Sequence, residues 1–259
     1  MSTLEFVSAS ADGIVANTAP LVTAPALVAG LGAHPALTVP LVGGRPTGTA
    51  EIWRRLDEAA RFFGAEMPPV SALHDALHGF LAAAAAAAAA RRGQVMVAAQ
   101  IQLIEVDGRN EFVVAGTVIE ATRPEPVALA AQRGPLQDRT PHWRRMAART
   151  SSRAEAQLVE QNLNARGYAD VVAVDGALIG NPRLGALIVE TADGKTGLGT
   201  DMLTLLQAAG LLDAAVPCTD LPLALSGAKR VWWVSPRFET HPVRVIGTHH
   251  FESEVPGHE

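Results

Sequence analysis

Three β-prone stretches, each folded back on itself at an Asp-Gly dipeptide, constrain this chain more than any other feature. QVMVAAQIQLIEV (94–106) and NEFVVAGTVIEA (110–121) flank Asp107-Gly108. ADVVAVDGALIG (169–180) turns at Asp175-Gly176, and RLGALIVETADGKTG (183–197) turns at Asp193-Gly194. Asp-Gly accepts the left-handed backbone of tight hairpin turns, so each stretch predicts two antiparallel strands. Shorter runs add single strands: LEFVSA, ALTVPLV, PVALAAQ at 126–132, and KRVWWVS and HPVRVIG around the loop Pro236–Thr240.

Helices interrupt the strands. Residues 48–64 place Ile52, Leu56, Ala59, Ala60 and Phe63 on one face, with Gly64 as a stop. A second helix, 70–92, runs through the alanine tract Ala82–Ala90 to Arg91-Arg92. A third, 152–167, ends on Gly167, and DMLTLLQAAG forms a short fourth. The pattern is α+β, without an internal repeat.

Composition narrows the chemistry. The 259 residues are 48% hydrophobic and 18% charged, which excludes wholesale disorder. A net charge of −5 argues against a nucleic-acid coat or an anionic membrane as partner. One cysteine, Cys218, permits no internal disulfide and no cysteine zinc cage. No secretory signal is legible and no long apolar run stands outside the alanine-rich helix, so a cytoplasmic protein is expected. Only two lysines occur, Lys195 and Lys229. Arginine replaces lysine on surfaces but not as a nucleophilic amine, because guanidinium stays protonated.

Local motifs are weak. DGKTGLGT (193–200) lacks the spacing of a phosphate loop and reads as a hairpin turn leading into a helix start, where anions are favoured. His74 and His78 share a helix face without a third ligand, so no metal is expected. His142-Trp143-Arg144-Arg145, and Arg237 with His241, are candidate anion-contacting loops. His249-His250, with His258, reads as a mobile or edge segment. No GxSxG and no CxxC appears.

The order of motifs is more specific. Gly44-Arg45-Pro46 precedes Ile52-Trp53-Arg54-Arg55-Leu56-Asp57-Glu58-Ala59-Ala60; Arg149-Thr150-Ser151-Ser152-Arg153 leads a helix to Gly167-Tyr168-Ala169-Asp170 and on to Asp175-Gly176. Asn181-Pro182-Arg183-Leu184-Gly185, Val231-Trp232-Trp233-Val234-Ser235 and His241-Pro242-Val243 follow. From about residue 36 to 245 this order resembles the class IV aminotransferase family, the fold-type IV pyridoxal-phosphate enzymes, including branched-chain aminotransferases and aminodeoxychorismate lyases. The resemblance implies two α/β domains, 1–124 and 125–259, an interdomain pocket and a homodimer.

It also implies site residues. The family's phosphate-binding arginine falls on Arg55, its Schiff-base lysine on Arg149, and its pyridinium-pairing glutamate on Gly180. The phosphate-binding segment falls within Thr196–Asp201, including Thr200, and the second phosphate threonine on Ser235 or Pro236. Pyridoxal phosphate is the family's cofactor, but without that lysine and glutamate no cofactor is expected here. The resemblance then leaves a pocket carrying Arg55, Arg149, Arg153 and Arg183, with Thr200, Ser235 and Arg237 as further ligand-binding residues. Arg149 and Arg153 stand at the catalytic position, and Arg55 and Arg149 are expected on walls from different domains. Arginine clusters favour carboxylates and phosphates. A cofactor-independent enzyme acting on a small anionic molecule in specialised biosynthesis is therefore expected. A non-catalytic ligand-binding or partner subunit is the alternative, and non-covalent pyridoxal phosphate a third reading.

Overall fold

The computed structural model describes residues 5–10, 13–17, 34–42, 48–88, 96–106, 109–119, 124–136, 146 and 149–252. Two compact units emerge: Met1–Ala121 with Thr140–Arg153, and Thr122–Arg139 with Ala154–Glu259. The chain thus enters the second unit near residue 122 and returns to the first for 140–153.

The first unit is built on five antiparallel strands: β1 (Glu5–Ser10), β2 (Gly13–Asn17), β3 (Ala36–Val42), β4 (Met96–Val106) and β5 (Arg109–Ile119). They lie in the order β2-β1-β5-β4-β3. The central hairpin is in register from Met96↔Ile119 to Val106↔Arg109; its turn, Asp107-Gly108, lies outside the described residues. Helix α1 (Thr49–Phe63) packs on β3, and α2 (Val70–Ala88) on β1, β2 and β5. Ile52, Leu56, Ala59 and Ala60 are buried as their spacing predicts. Phe63 is not: it is 37% exposed and meets Phe62 edge to face at 5.0 Å. The helix has by then reached its end, where Gly64 turns left-handed (φ 70°), a conformation costly for a residue with a Cβ. The stretch 89–92 of the expected second helix lies outside the described residues, as does Gly44-Arg45-Pro46.

The second unit carries a ten-stranded sheet. Its strands are β6 (Val127–Arg133), β7 (Asp170–Asp175), β8 (Leu178–Pro182), β9 (Ala186–Thr191), β10 (Gly194–Leu198), β11 (Cys218–Thr219), β12 (Leu223–Ala224), β13 (Arg230–Val234), β14 (Thr240–Ile246) and β15 (His249–His250). The order is β11-β10-β9-β13-β14-β6-β7-β8-β12, with β15 on β14. Strand β6 runs parallel to both β14 and β7. The hairpins expected at Asp175-Gly176 and Asp193-Gly194 are β7–β8 and β9–β10. Helix α3 (Ala154–Ala165) precedes β7, and α4 (Thr200–Ala208) follows β10. Leu129, Val172, Ile179, Leu187, Val189, Leu198, Val231, Trp233, Val243 and Ile246 form one apolar core.

Asp170 lies fully buried at the start of β7. Its carboxylate accepts from the backbone N–H groups of Val171 (2.7 Å), Gly185 (2.8 Å) and Leu184 (3.1 Å), and from the Trp233 indole (2.9 Å). Burial pushes this carboxyl up, and those N–H donors oppose the shift. Gly185 is bare by necessity, since a Cβ there would stand 2.2 Å from the Val234 carbonyl oxygen.

Removing this acceptor strands several buried donors at once. Asp170→Ala is expected to destabilise the protein by about 3 kcal/mol or more, because each orphaned buried donor costs about 1–3 kcal/mol. Urea unfolding checks this, and a loss below about 1 kcal/mol would mean that water replaces the carboxylate at little cost.

Candidate active site

The sequence-predicted residues fall into two groups, one in each unit. In the first unit the backbone of residues 149–151 lies against 34–36. The Ala36 N–H donates to the Arg149 carbonyl (2.8 Å), the Ser151 N–H donates to the His34 carbonyl (2.8 Å), and Pro35 bridges Thr150. That pairing puts Arg149 in the same unit as Arg55. The expectation that the two arginines come from different domains is corrected accordingly, because 140–153 follows the first unit and not its neighbours in sequence.

Both arginines engage carboxylates of α1. Arg55, only 4% exposed, donates its Nε to Glu51 Oε1 at 2.6 Å. Arg149 donates its Nη1 to Glu58 Oε2 at 2.6 Å. Positions 51, 55 and 58 follow the i, i+4, i+7 spacing of one helix face. Arg54 also grips Glu51, donating at 2.6 and 2.8 Å. Glu51 is held down to about 2, chiefly by the Arg54 hydrogen bond, with burial opposing and Arg55 adding its own hydrogen bond and charge. Arg54, Asp57, Glu58, Arg61 and Phe62 line an open groove of about 490 Å³ on the same helix.

In the second unit the sheet register collects the other candidates. Leu198↔Leu187 and Val234↔Ala186 bring the end of β10, the start of β9 and the end of β13 to one edge. There the turn 183–185, the start of α4 at Thr200 and the loop 235–239 meet. Thr200 donates its backbone N–H to Asp220 Oδ1 (2.9 Å), and Asn181 donates its side-chain amide to the same oxygen (3.2 Å). Ser235, nearly buried, accepts on its hydroxyl from the N–H groups of Glu239 (3.1 Å) and Arg237 (3.2 Å). Phe238 is buried with a left-handed backbone (φ 65°), which fixes this loop. Arg237 is exposed, as is Arg153 of the first unit, and Arg183 pairs with Glu155 on α3.

Gly180 has no space for a larger residue: a Cβ would stand 2.6 Å from the Leu136 carbonyl oxygen. Lys195 is exposed on β10 and lies over the Trp232 ring at 4.9 Å; Lys229 is exposed ahead of β13. His74 and His78 are exposed with rings 4.3 Å apart, and no group of three or more metal-ligating side chains occurs among the described residues. His241 packs against Trp233 at 5.7 Å, and His249-His250 forms the short strand β15 paired with β14, the edge alternative of the two expected. Residues 142–145 and His258 lie outside the described residues. No described helix is long and apolar enough to cross a membrane.

Sequence reasoning missed the carboxylates. Glu51 was legible in principle from its i, i+4 spacing to Arg55. Glu58 was not, being 91 residues from Arg149, and neither was Asp220, twenty residues from Thr200.

No protein-family model matches the sequence, and no curated protein does. Solved structures do. A hypothetical aminotransferase from Mycobacterium tuberculosis superposes with a TM-score of 0.69 at 19% identity, over 97% of this chain and 93% of its own. A fold IV transaminase from Curtobacterium pusillum gives 0.67 at 16% identity, over 96% and 94%. A candidate 4-amino-4-deoxychorismate lyase from Legionella pneumophila gives 0.56 at 13% identity, over 87% of each chain. The chain has the fold of the fold-type IV aminotransferases, as its motif order implied.

The Glu51 cluster carries a pH signature. A carboxyl lowered in the folded state contributes stability that is complete above its unfolded value of 4.5 and is lost as pH falls toward about 2. Glu51→Gln is expected to flatten the acid limb of the stability profile across that window, with its full cost present at pH 7 and the gap to the parent closing as pH falls toward about 2. Thermal unfolding of both proteins at stepped pH checks the slope.

Proposed function

We propose that this chain is a fold-type IV protein that works without an aldimine. On this reading it is a cofactor-independent enzyme taking a small carboxylate-bearing molecule in specialised biosynthesis, with Arg149 and Arg55 as its anion-binding groups. The homodimer implied by the resemblance and the cytoplasmic setting expected from the sequence belong to the same proposal. The observation that carries it is the Arg149–Glu58 contact: a guanidinium at the family's lysine position, 12% exposed and already aimed at a carboxylate. An internal carboxylate makes there the contact that a substrate carboxylate would make.

Pyridoxal phosphate does not fit these residues. A guanidinium stays protonated and cannot condense with the aldehyde, and residues 1–194 hold no lysine at all. At Gly180 the Leu136 carbonyl blocks any side chain that could pair with a pyridinium. The chain therefore supplies neither a covalent anchor nor an electronic partner at those positions.

The same ion pairs favour a second reading, a non-catalytic relative. Glu51 and Glu58 already satisfy groups that a ligand would need. A thermal-shift panel of carboxylates, phosphates and chorismate-like acids tests whether the chain binds an anion at all. A charge-assisted contact to a desolvated anion is worth about 1.5–3 kcal/mol, so Arg149→Ala should weaken a genuine ligand about tenfold or more. A stabilising acid whose effect disappears in both Arg55→Ala and Arg149→Ala supports an anion site, in an enzyme or a ligand-binding subunit alike. No response across the panel supports a subunit that binds only protein.

The purified protein should be colourless, without the absorption of a protonated Schiff base. Borohydride treatment in the presence of pyridoxal phosphate should leave no stoichiometric pyridoxyl adduct on Lys195 or Lys229 by mass spectrometry. A stoichiometric adduct at either lysine would overturn the proposal.

A further inference from the structure

We infer that Asp220 is a built-in occupant of the anion-accepting end of α4, so that this chain refuses a phosphate where the resembled family takes one. This inference stands apart from the ligand proposed for Arg55 and Arg149. Helix α4 begins after Gly199, which has no side chain to offer as a cap. The first free N–H groups of a helix carry partial positive charge and accept an anion or a capping oxygen. Here the cap comes from twenty residues along the chain: Asp220 Oδ1 accepts the Thr200 N–H at 2.9 Å. Asn181 holds the same oxygen in place at 3.2 Å. The backbone beside it is pinned too, with the Gly199 N–H donating to the Thr219 carbonyl at 3.1 Å. Asp201 adds a second carboxylate in the first helical turn.

The hydroxyl at the second phosphate position is engaged as well. Ser235 accepts two backbone N–H groups of its own loop and lies 3.3 Å from the Glu239 carboxylate, to which it donates. A phosphate arriving at this edge would meet a helix end already capped by a carboxylate and a hydroxyl directed at another. Like charge and lost donors both oppose it. Nothing comparable follows from the missing lysine, which bears on covalent attachment and not on the phosphate.

The test follows backbone amides by NMR while inorganic phosphate is titrated into labelled protein. The parent should show no saturable shift at the Thr200 amide. Asp220→Ala, with the cap removed, should show one, with phosphate bound at least about tenfold more tightly, the scale of a charge-assisted hydrogen bond. Asp220→Asn keeps an oxygen for the Thr200 N–H and should stay closed, which separates occupancy from charge. A saturable Thr200 shift in the parent overturns the inference whatever the variants do. So does Asp220→Ala remaining closed with α4 intact, or Asp220→Asn opening as fully as Asp220→Ala. Should Asp220→Ala lose α4, the parent and Asp220→Asn decide.

Discussion

The buried carboxylate of Asp170 is the interaction on which the second unit's candidate site depends. It ties the start of β7 to the turn 184–185 and to Trp233 on β13. Those three pieces come from distant parts of the sequence, and the carboxylate holds them at one edge of the sheet. The same edge carries the start of α4 and the loop 235–239. A buried carboxylate is tolerated only when donors surround it, and here they do. Gly185 is the matching constraint, because any side chain would collide with the strand that Trp233 occupies.

A common theme runs through both groups of candidate residues. Arg55 meets Glu51, Arg149 meets Glu58, Arg183 meets Glu155, and the helix end at Thr200 meets Asp220. At these four of the expected anion-binding places the partner is a carboxylate of the chain itself. Such pairs differ in weight. Arg183–Glu155 is exposed on both sides and contributes little. Arg55 is nearly sealed, so losing Glu51 would leave a buried guanidinium with one fewer partner.

Most of the fold was legible because its signals are local. Asp175-Gly176 and Asp193-Gly194 announce hairpins within two residues, and Ile52, Leu56, Ala59 and Ala60 announce a helix face within two turns. Arg55 is buried on that same face, where a guanidinium turned toward a ligand was expected. What was not legible is long-range. The return of 140–153 to the first unit depends on backbone bonds between 34–36 and 149–151, and no periodicity encodes them. The partners of Arg149 and Thr200 are hidden for the same reason. A charge count reports that carboxylates outnumber cations, but not which carboxylate reaches which cation.

The exposure of Glu58 gives the Arg149 pair its particular character. Arg149 is mostly withdrawn from water, while Glu58 remains 42% exposed. If a small carboxylate displaced Glu58, that side chain would return to water at little cost, and the guanidinium would exchange one charge-assisted bond for another. The balance would then be decided by whatever else the newcomer touches. An aldimine-forming lysine could not be held in such a pair without losing reactivity, since its amine must be neutral to attack a carbonyl, and a neighbouring carboxylate favours the charged form. Arginine carries no such requirement. The pairing with Glu58 is therefore one that a guanidinium sustains and a nucleophilic amine would not.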